Sequence, residues 1–206
     1  LKSLLEEHIP VVLLAASHPS LLVNSVRVDD FIGGYEVASH LISLGHKKIA
    51  VIGEDATSSK ERIRGFKQAL QENEMNLRDE MVVIGGSSSE DAELSAAKLL
   101  ADPEPPTAIF ACNDILSMGV ILAARGRDIR IPDDLSIVGF DNTLLSMNSD
   151  PPLTTVEQPI QDMCSQAVDL LIEEIEGKSK TKQRIIMMPR LIIRNSTSEY
   201  RAEDDA

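Results

Sequence analysis

Asp141 closes an apolar run of strand type, LSIVGFDN over residues 135–142, so a carboxylate stands where a strand gives way to a loop. In an open α/β sheet, ligands sit beyond the carboxyl ends of the strands, and an acid at such an end faces the crevice. Three other loops that follow strand-like runs carry polar groups. These are Ser58 with Ser59 after IAVIG, Ser87 to Ser89 after MVVI, and Asn113 with Asp114 after TAIFAC. Arg62 joins them, because it falls in the first turn of a helix expected to begin near Lys60, at the same edge. A guanidinium, an amide and a carboxylate converging there would offer directional hydrogen bonds to a small polyol or heterocycle. The same residues also have a purely structural reading, with Asn113 and Asp114 capping the helix at about 115–125, Ser59 as a helix N-cap and Arg62 paired with a surface acid.

Catalysis finds less support. There is no G-x-S-x-G elbow and no G-x-G-x-x-G, and His8, His18, His40 and His46 lack ligand spacing. GEDATSSK, from Gly53 to Lys60, imitates a phosphate loop but is one residue too long, and it has Ser59 before the lysine and Glu61 after it. No catalytic residue, metal site or cofactor is expected, and the chain is not expected to be an enzyme.

The elements that must position the polar groups alternate. LKSLLEEHIPVVLLA reads as the end of a helix followed by a strand from Val11 to Leu14, the second half of a βα unit. Helices are expected at about 31–44, 60–72, 90–101 and 115–125, with strands ending at Gly53, from Met81, over Thr107 to Cys112, and through LSIVGF. In the 90–101 helix, Leu94, Ala97 and Leu100 or Ala101 form the expected inner face. Continuous apolar strands separated by helices of this length predict a parallel sheet covered on both faces, an α/β fold.

Beyond the loop TLLSMNSDPP the alternation stops. PPLTTVEQP is held extended by its prolines. A helix follows from Pro159 to about 176, with Ile160, Met163, Cys164, Ala167, Val168, Leu171 and Ile175 as one apolar stripe. RIIMMPRLIIR reads as two short strands broken by Pro189, and residues 198–206 as a polar, frayed tail.

Composition limits the function. At 206 residues with 43% hydrophobic content, the chain has material for a core. A net charge of −13 argues against this chain gripping a nucleic-acid backbone by itself. Cys112 and Cys164 sit in apolar runs and read as reduced core thiols, which points to the cytoplasm. No apolar run approaches the roughly 18 residues a bilayer span needs, so no membrane partner is expected.

Taken together, IPVVLL, VRVDDFIGGYEVASHLISLGHKKIAVIG, RIRGFKQAL, PTAIFACNDILSMGV, IPDDLSIVGFDN, PPLTTVEQP and PRLIIRNST resemble, in order and spacing, the effector-binding domain of LacI/GalR-family transcriptional repressors. The resemblance implies a periplasmic-binding-protein-like fold of two lobes joined by three crossovers, with a small-molecule effector in the cleft between them. Residues 1–25 and 159–178 would form an incomplete N-terminal lobe, and 26–157 and 180–197 the C-terminal lobe. It further implies a cytoplasmic homodimer that binds operator DNA through a helix-turn-helix preceding Leu1. Effector contacts carry over to Arg62 in R-x-x-G, Asn113 in ACND and Asp141 in GFDN, together with Ser58 and Gln158. Two departures bear on the ligand: Ala15 and Ala16 stand where many members carry an acid, and Ser87 where many carry an aromatic. The alternative is a periplasmic solute-binding protein for a sugar, which needs the same cleft without DNA.

Overall fold

The computed structural model describes residues 2–18, 20–178 and 181–201; the end of the expected polar tail, 202–206, lies outside the described residues. The first half of the chain runs α1 (Lys2–Glu6), β1 (Val12–Leu14), β2 (Asn24–Val28), α2 (Asp30–Ser43), β3 (Ile49–Glu54), α3 (Thr57–Glu72), β4 (Val82–Gly85) and α4 (Ser89–Leu99). The second half runs β5 (Ala108–Ala111), α5 (Asp114–Arg125), β6 (Ser136–Asp141), α6 (Leu144–Asn148), β7 (Thr154–Glu157), α7 (Ile160–Ile175), β8 (Arg184–Met187) and β9 (Arg190–Ile192).

The chain divides into two units, Leu1–Asp29 with Gln158–Pro189, and Asp30–Glu157 with Arg190–Ala206. These boundaries differ from the expected ones. β2 and β8 pair in parallel from Ser25↔Arg184 to Val28↔Met187, and that ladder keeps 26–29 and 181–189 in the first unit.

The first unit is a parallel sheet of order β1-β2-β8 with α7 packed on it. α7 buries Met163, Ala167 and Leu170, whereas Ile160, Val168 and Ile175 of the expected stripe are exposed. A three-stranded sheet covers one side of the helix, and the narrower 163-167-170 line is the side it meets. β2 itself is absent from the sequence reading. Its Asn24 and Ser25 are buried, and Asn24 is used up in bonds to Glu174 and to the backbone of Gln183.

The second unit carries a six-stranded sheet of order β4-β3-β5-β6-β7-β9, parallel throughout except for β9 on β7. β5 is buried along its whole length and β3 and β6 along all but the last residue, because helices cover both faces. α2 packs on α3 and α4 on α5. The connection from β3 to β4 leaves in one direction and that from β4 to β5 returns past β3. This puts a topological switch point between β3 and β5, where α/β sheets hold ligands.

α4 turns a different side inward from the one expected. Ala92, Ala96 and Leu99 are buried while Leu94 is 64% exposed. Small residues win there because α5 comes very close: a β-carbon on Gly119 would lie 2.1 Å from the carbonyl oxygen of Ser89. The tail is also corrected. Residues 198–201 are docked rather than frayed, with Ser198 N–H on Ser136 Oγ (3.1 Å) and Tyr200 N–H on the carbonyl of Leu44 (2.8 Å).

Candidate functional site

Five parallel strands of the second unit present their carboxyl ends on one rim, so the loops after β3, β4, β5 and β6 gather there. Arg62 lies at its centre. α3 begins at Thr57 rather than near Lys60, so Arg62 falls in the second turn and not the first. The helix carries it inward, to 6% exposure.

Two glycines make that placement possible. A β-carbon on Gly34 would fall 1.9 Å from the carbonyl oxygen of Arg62, and one on Gly65 would fall 1.9 Å from that of Phe31. α2 and α3 therefore cross backbone against backbone, which brings Asp30 at the start of α2 to Arg62. Arg62 Nε donates to Asp30 Oδ1 at 2.8 Å, and Nη1 donates to the Cys112 carbonyl beyond β5. The guanidinium stacks on Phe140, 3.5 Å from the ring centroid, and Nη1 lies 3.7 Å from Asp141 Oδ1. Arg62 thus spans the switch point, from α3 to the ends of β5 and β6.

Asp141 has φ of +106° and Asn142 of +52°. Such backbone costs about 1–3 kcal/mol per residue and persists where surrounding contacts hold it. Those contacts are visible. Asn142 donates through Nδ2 to Glu157 Oε1 (2.9 Å) and accepts at Oδ1 from Arg194 (2.6 Å). Below it, Asp114 accepts at Oδ2 from both the N–H and the hydroxyl of Thr143 (2.7 and 2.9 Å) and at Oδ1 from Thr155 (2.7 Å). Burial pushes the Asp114 carboxyl above its ordinary range, against the pull of these donors.

The N-cap of α5 is Asn113, whose Oδ1 accepts from the Leu116 N–H at 2.8 Å. Of the two expected caps, Asn113 caps the helix, whereas Asp114 serves as a brace between β5, β6 and β7. Asn113 is 8% exposed, and its Nδ2 has no acceptor among the described residues. Ser59 is not a cap either: the N-cap of α3 is Ala56. The Ser59 hydroxyl is buried beside Cys112 without reaching hydrogen-bond geometry to a partner. Burial pushes the Cys112 thiol up to about 12, with Arg62 pulling it down and Glu54 and Asp141 pushing it up. Cys164 is free and half-buried.

The structure thus brings Arg62, Asn113 and Asp141 to one rim, with Ser58 half-buried in the first turn of α3 at the same edge. Gln158 directly follows β7 but belongs to the first unit. Ser87 is exposed in the loop before α4. The sequence reading missed Asp30, whose local signal is that of an ordinary acid in the first turn of a helix. Donors on Arg62 and Asn113 beside an acceptor on Asp141 suit a ligand rich in hydroxyl groups. Among the described residues no group of three or more His, Cys, Asp and Glu is placed to hold a metal ion, and no helix is long and apolar enough to cross a membrane.

Comparison with known proteins bears on this geometry. A family profile described as a periplasmic binding protein-like domain matches residues 38–197. The HTH-type transcriptional regulator DegA of Bacillus subtilis (strain 168) is 44% identical over 200 residues, covering 96% of this chain and 59% of DegA. The HTH-type transcriptional repressor PurR of Haemophilus influenzae (strain PittEE) is 39% identical over 180 residues, covering 84% of this chain and 54% of PurR. The chain therefore spans somewhat more than half the length of the curated relatives it matches. A regulatory protein of LacI family from Chloroflexus aggregans superposes with a TM-score of 0.87 at 30% identity, over 97% of this chain and 72% of that one. A LacI family transcriptional regulator from Enterococcus faecium with bound ribose gives 0.88 at 29%, over 97% and 75%. A transcriptional regulator CelR–cellobiose complex gives 0.87 at 27%, over 94% and 60%.

Proposed function

The chain belongs to the LacI family of transcriptional regulators, whose periplasmic binding protein-like effector domain it carries, and from that membership we propose that it senses a sugar-like metabolite. The observation that supports this reading best is the meeting of Arg62 and Asp141 across the switch point, with the Asn113 amide beside them. On this reading Arg62 and Asn113 donate to the effector, Asp141 accepts from it, and Ser58 and Gln158 add polar contacts. Relatives of this fold bound to ribose and to cellobiose support a hydroxyl-rich ligand.

The effector acts through its unequal affinity for two conformations of the regulator, and that difference sets DNA affinity. The role assigned to the chain is binding, without turnover. Operator contact belongs to a helix-turn-helix outside this chain, in keeping with the net charge of −13, and the working regulator is a cytoplasmic homodimer.

The test is a thermal-shift screen of the full-length protein against pentoses, hexoses, sugar phosphates and nucleobases, followed by calorimetry. Asp141→Ala is expected to weaken the hit by about 2–5 kcal/mol, the cost of removing one partner of a desolvated polar contact. Unchanged affinity in that variant would refute the assignment.

A further inference from the structure

Asp30 makes the rim more negative than its ligand-facing residues imply. It is 8% exposed behind Arg62, so it meets the guanidinium and not the space above the rim. Arg62 lies within 4 Å of two carboxylates, Asp30 at 2.8 Å and Asp141 at 3.7 Å, which leaves the trio with one negative charge in excess.

With the surroundings counted, the rim stays negative on balance. Lys60 is paired with Asp55 (2.6 Å) and Arg190 with Glu157 (2.8 Å). Arg194 keeps its charge, and its guanidinium is occupied by the oxygens of Asn142 and of the Leu153 carbonyl. Glu54 at the end of β3 and Asp114 beneath Asp141 add two carboxylates with no cation within 4 Å among the described residues. Like charges in a partly desolvated site repel strongly.

We infer that Asp30 determines the charge specificity of the rim: by neutralising Arg62 from behind, it leaves no uncompensated charge on the guanidinium at the centre of the rim to receive an anionic group, so the site takes a neutral hydroxylated ring and rejects its phosphorylated or carboxylated form. This rests on the reading of the rim as an effector site and adds the class of effector. Asp30 acts through Arg62 and is a positioning residue, not a ligand contact.

Asp30→Asn is the discriminating variant, since the amide oxygen still accepts from Arg62 Nε while the charge is gone. Calorimetry on the full-length protein compares matched probes: D-ribose with D-ribose 5-phosphate, D-glucose with D-glucose 6-phosphate, and D-galactose with D-galacturonate. The wild type is expected to bind the neutral member of a recognised pair at least tenfold more tightly. Asp30→Asn is expected to shrink that ratio at least tenfold, and more at low salt than at high salt. A general loosening of the fold would weaken both members alike and leave the ratio unmoved. A wild type that prefers the anion, or an unchanged ratio in a folded Asp30→Asn, overturns the inference while leaving the effector site standing. If no probe binds the wild type, the sugar-effector reading falls and takes this inference with it. Should Asp30→Asn fail to fold by circular dichroism, Asp30→Ser and the wild-type ratio decide by the same criteria.

Discussion

Gly34 packs so closely on Arg62 that a β-carbon there would lie 1.9 Å from the Arg62 carbonyl oxygen. The arginine's neighbours follow from that contact, since any side chain at this crossing would move Asp30 away from Nε. In an isolated helix, glycine to alanine gains about 1 kcal/mol. Here Gly34→Ala is expected to cost about 1–3 kcal/mol, because overpacking outweighs propensity. Urea unfolding checks the sign, and a raised midpoint would mean that α2 and α3 do not touch.

Arg62→Lys separates charge from shape. An ammonium is a point charge and cannot serve Asp30, the Cys112 carbonyl and the Phe140 face together, as the guanidinium does. Effector affinity is expected to drop by about 2–5 kcal/mol although the net charge is unchanged. Calorimetry showing wild-type affinity in Arg62→Lys would mean that the geometry around the guanidinium is irrelevant to binding.

Asp114 supports the rim from below. Removing its carboxylate leaves the buried Thr155 hydroxyl without its acceptor and frees the N–H of Thr143, an exposed residue, to water. Asp114→Ala is expected to lose about 1–3 kcal/mol of stability, the cost of one buried unsatisfied donor. A guanidinium chloride midpoint within error of the wild type would remove Asp114 from the brace.

The βα alternation and the polar strand ends were legible in the sequence because buried parallel strands read as continuous apolar runs, as in IAVIG and LSIVGF. What stayed hidden depends on partners far along the chain. Asp30 looks like any acid in a first helical turn until Arg62, 32 residues away, is placed on it. Leu94 outranks Ala92 and Ala96 on a hydropathy scale, yet the close approach of Gly119 rewards small side chains and leaves Leu94 in solvent. β2 escaped notice because Asn24 and Ser25 are polar and are buried only through bonds that β8 and α7 supply.

Two histidines predict a pH dependence. Burial lowers both His40 and His46 from 6.5, so each contributes stability above that value which is lost as pH falls through its folded value. Glu36 and Asp114 are raised by burial and act in the opposite sense, their contributions being present at low pH and lost as pH rises. The melting temperature is therefore expected to fall as pH drops below 6.5, and less so in His40→Gln/His46→Gln. An equally steep profile in the double variant, followed by calorimetric scans, would assign the effect to other groups.

Ser198 and Tyr200 are docked against the second unit. His46, 3% exposed, has Nδ1 on Thr107 Oγ1 and Nε2 on Ser136 Oγ, both at 2.9 Å, with the Ser198 carbonyl 3.2 Å from Nε2. Ser198 adds its N–H to Ser136 and its hydroxyl to the Pro132 carbonyl, and Tyr200 brings its ring to 5.9 Å from that of His46. This segment therefore closes the amino-terminal edge of β3, β5 and β6, at the end of the sheet opposite Asp141. A chain ending at Thr197 exposes His46 and forfeits at least four hydrogen bonds of about 0.5–1.5 kcal/mol each, so it is expected to lose roughly 2–6 kcal/mol. Because the lost contacts lie at the far end of the strands, effector affinity at saturating folded fraction is expected to stay within twofold. Truncation that left the urea midpoint unchanged would show the segment to be a mere tail, and truncation that abolished binding in a folded protein would tie the two ends of the sheet together.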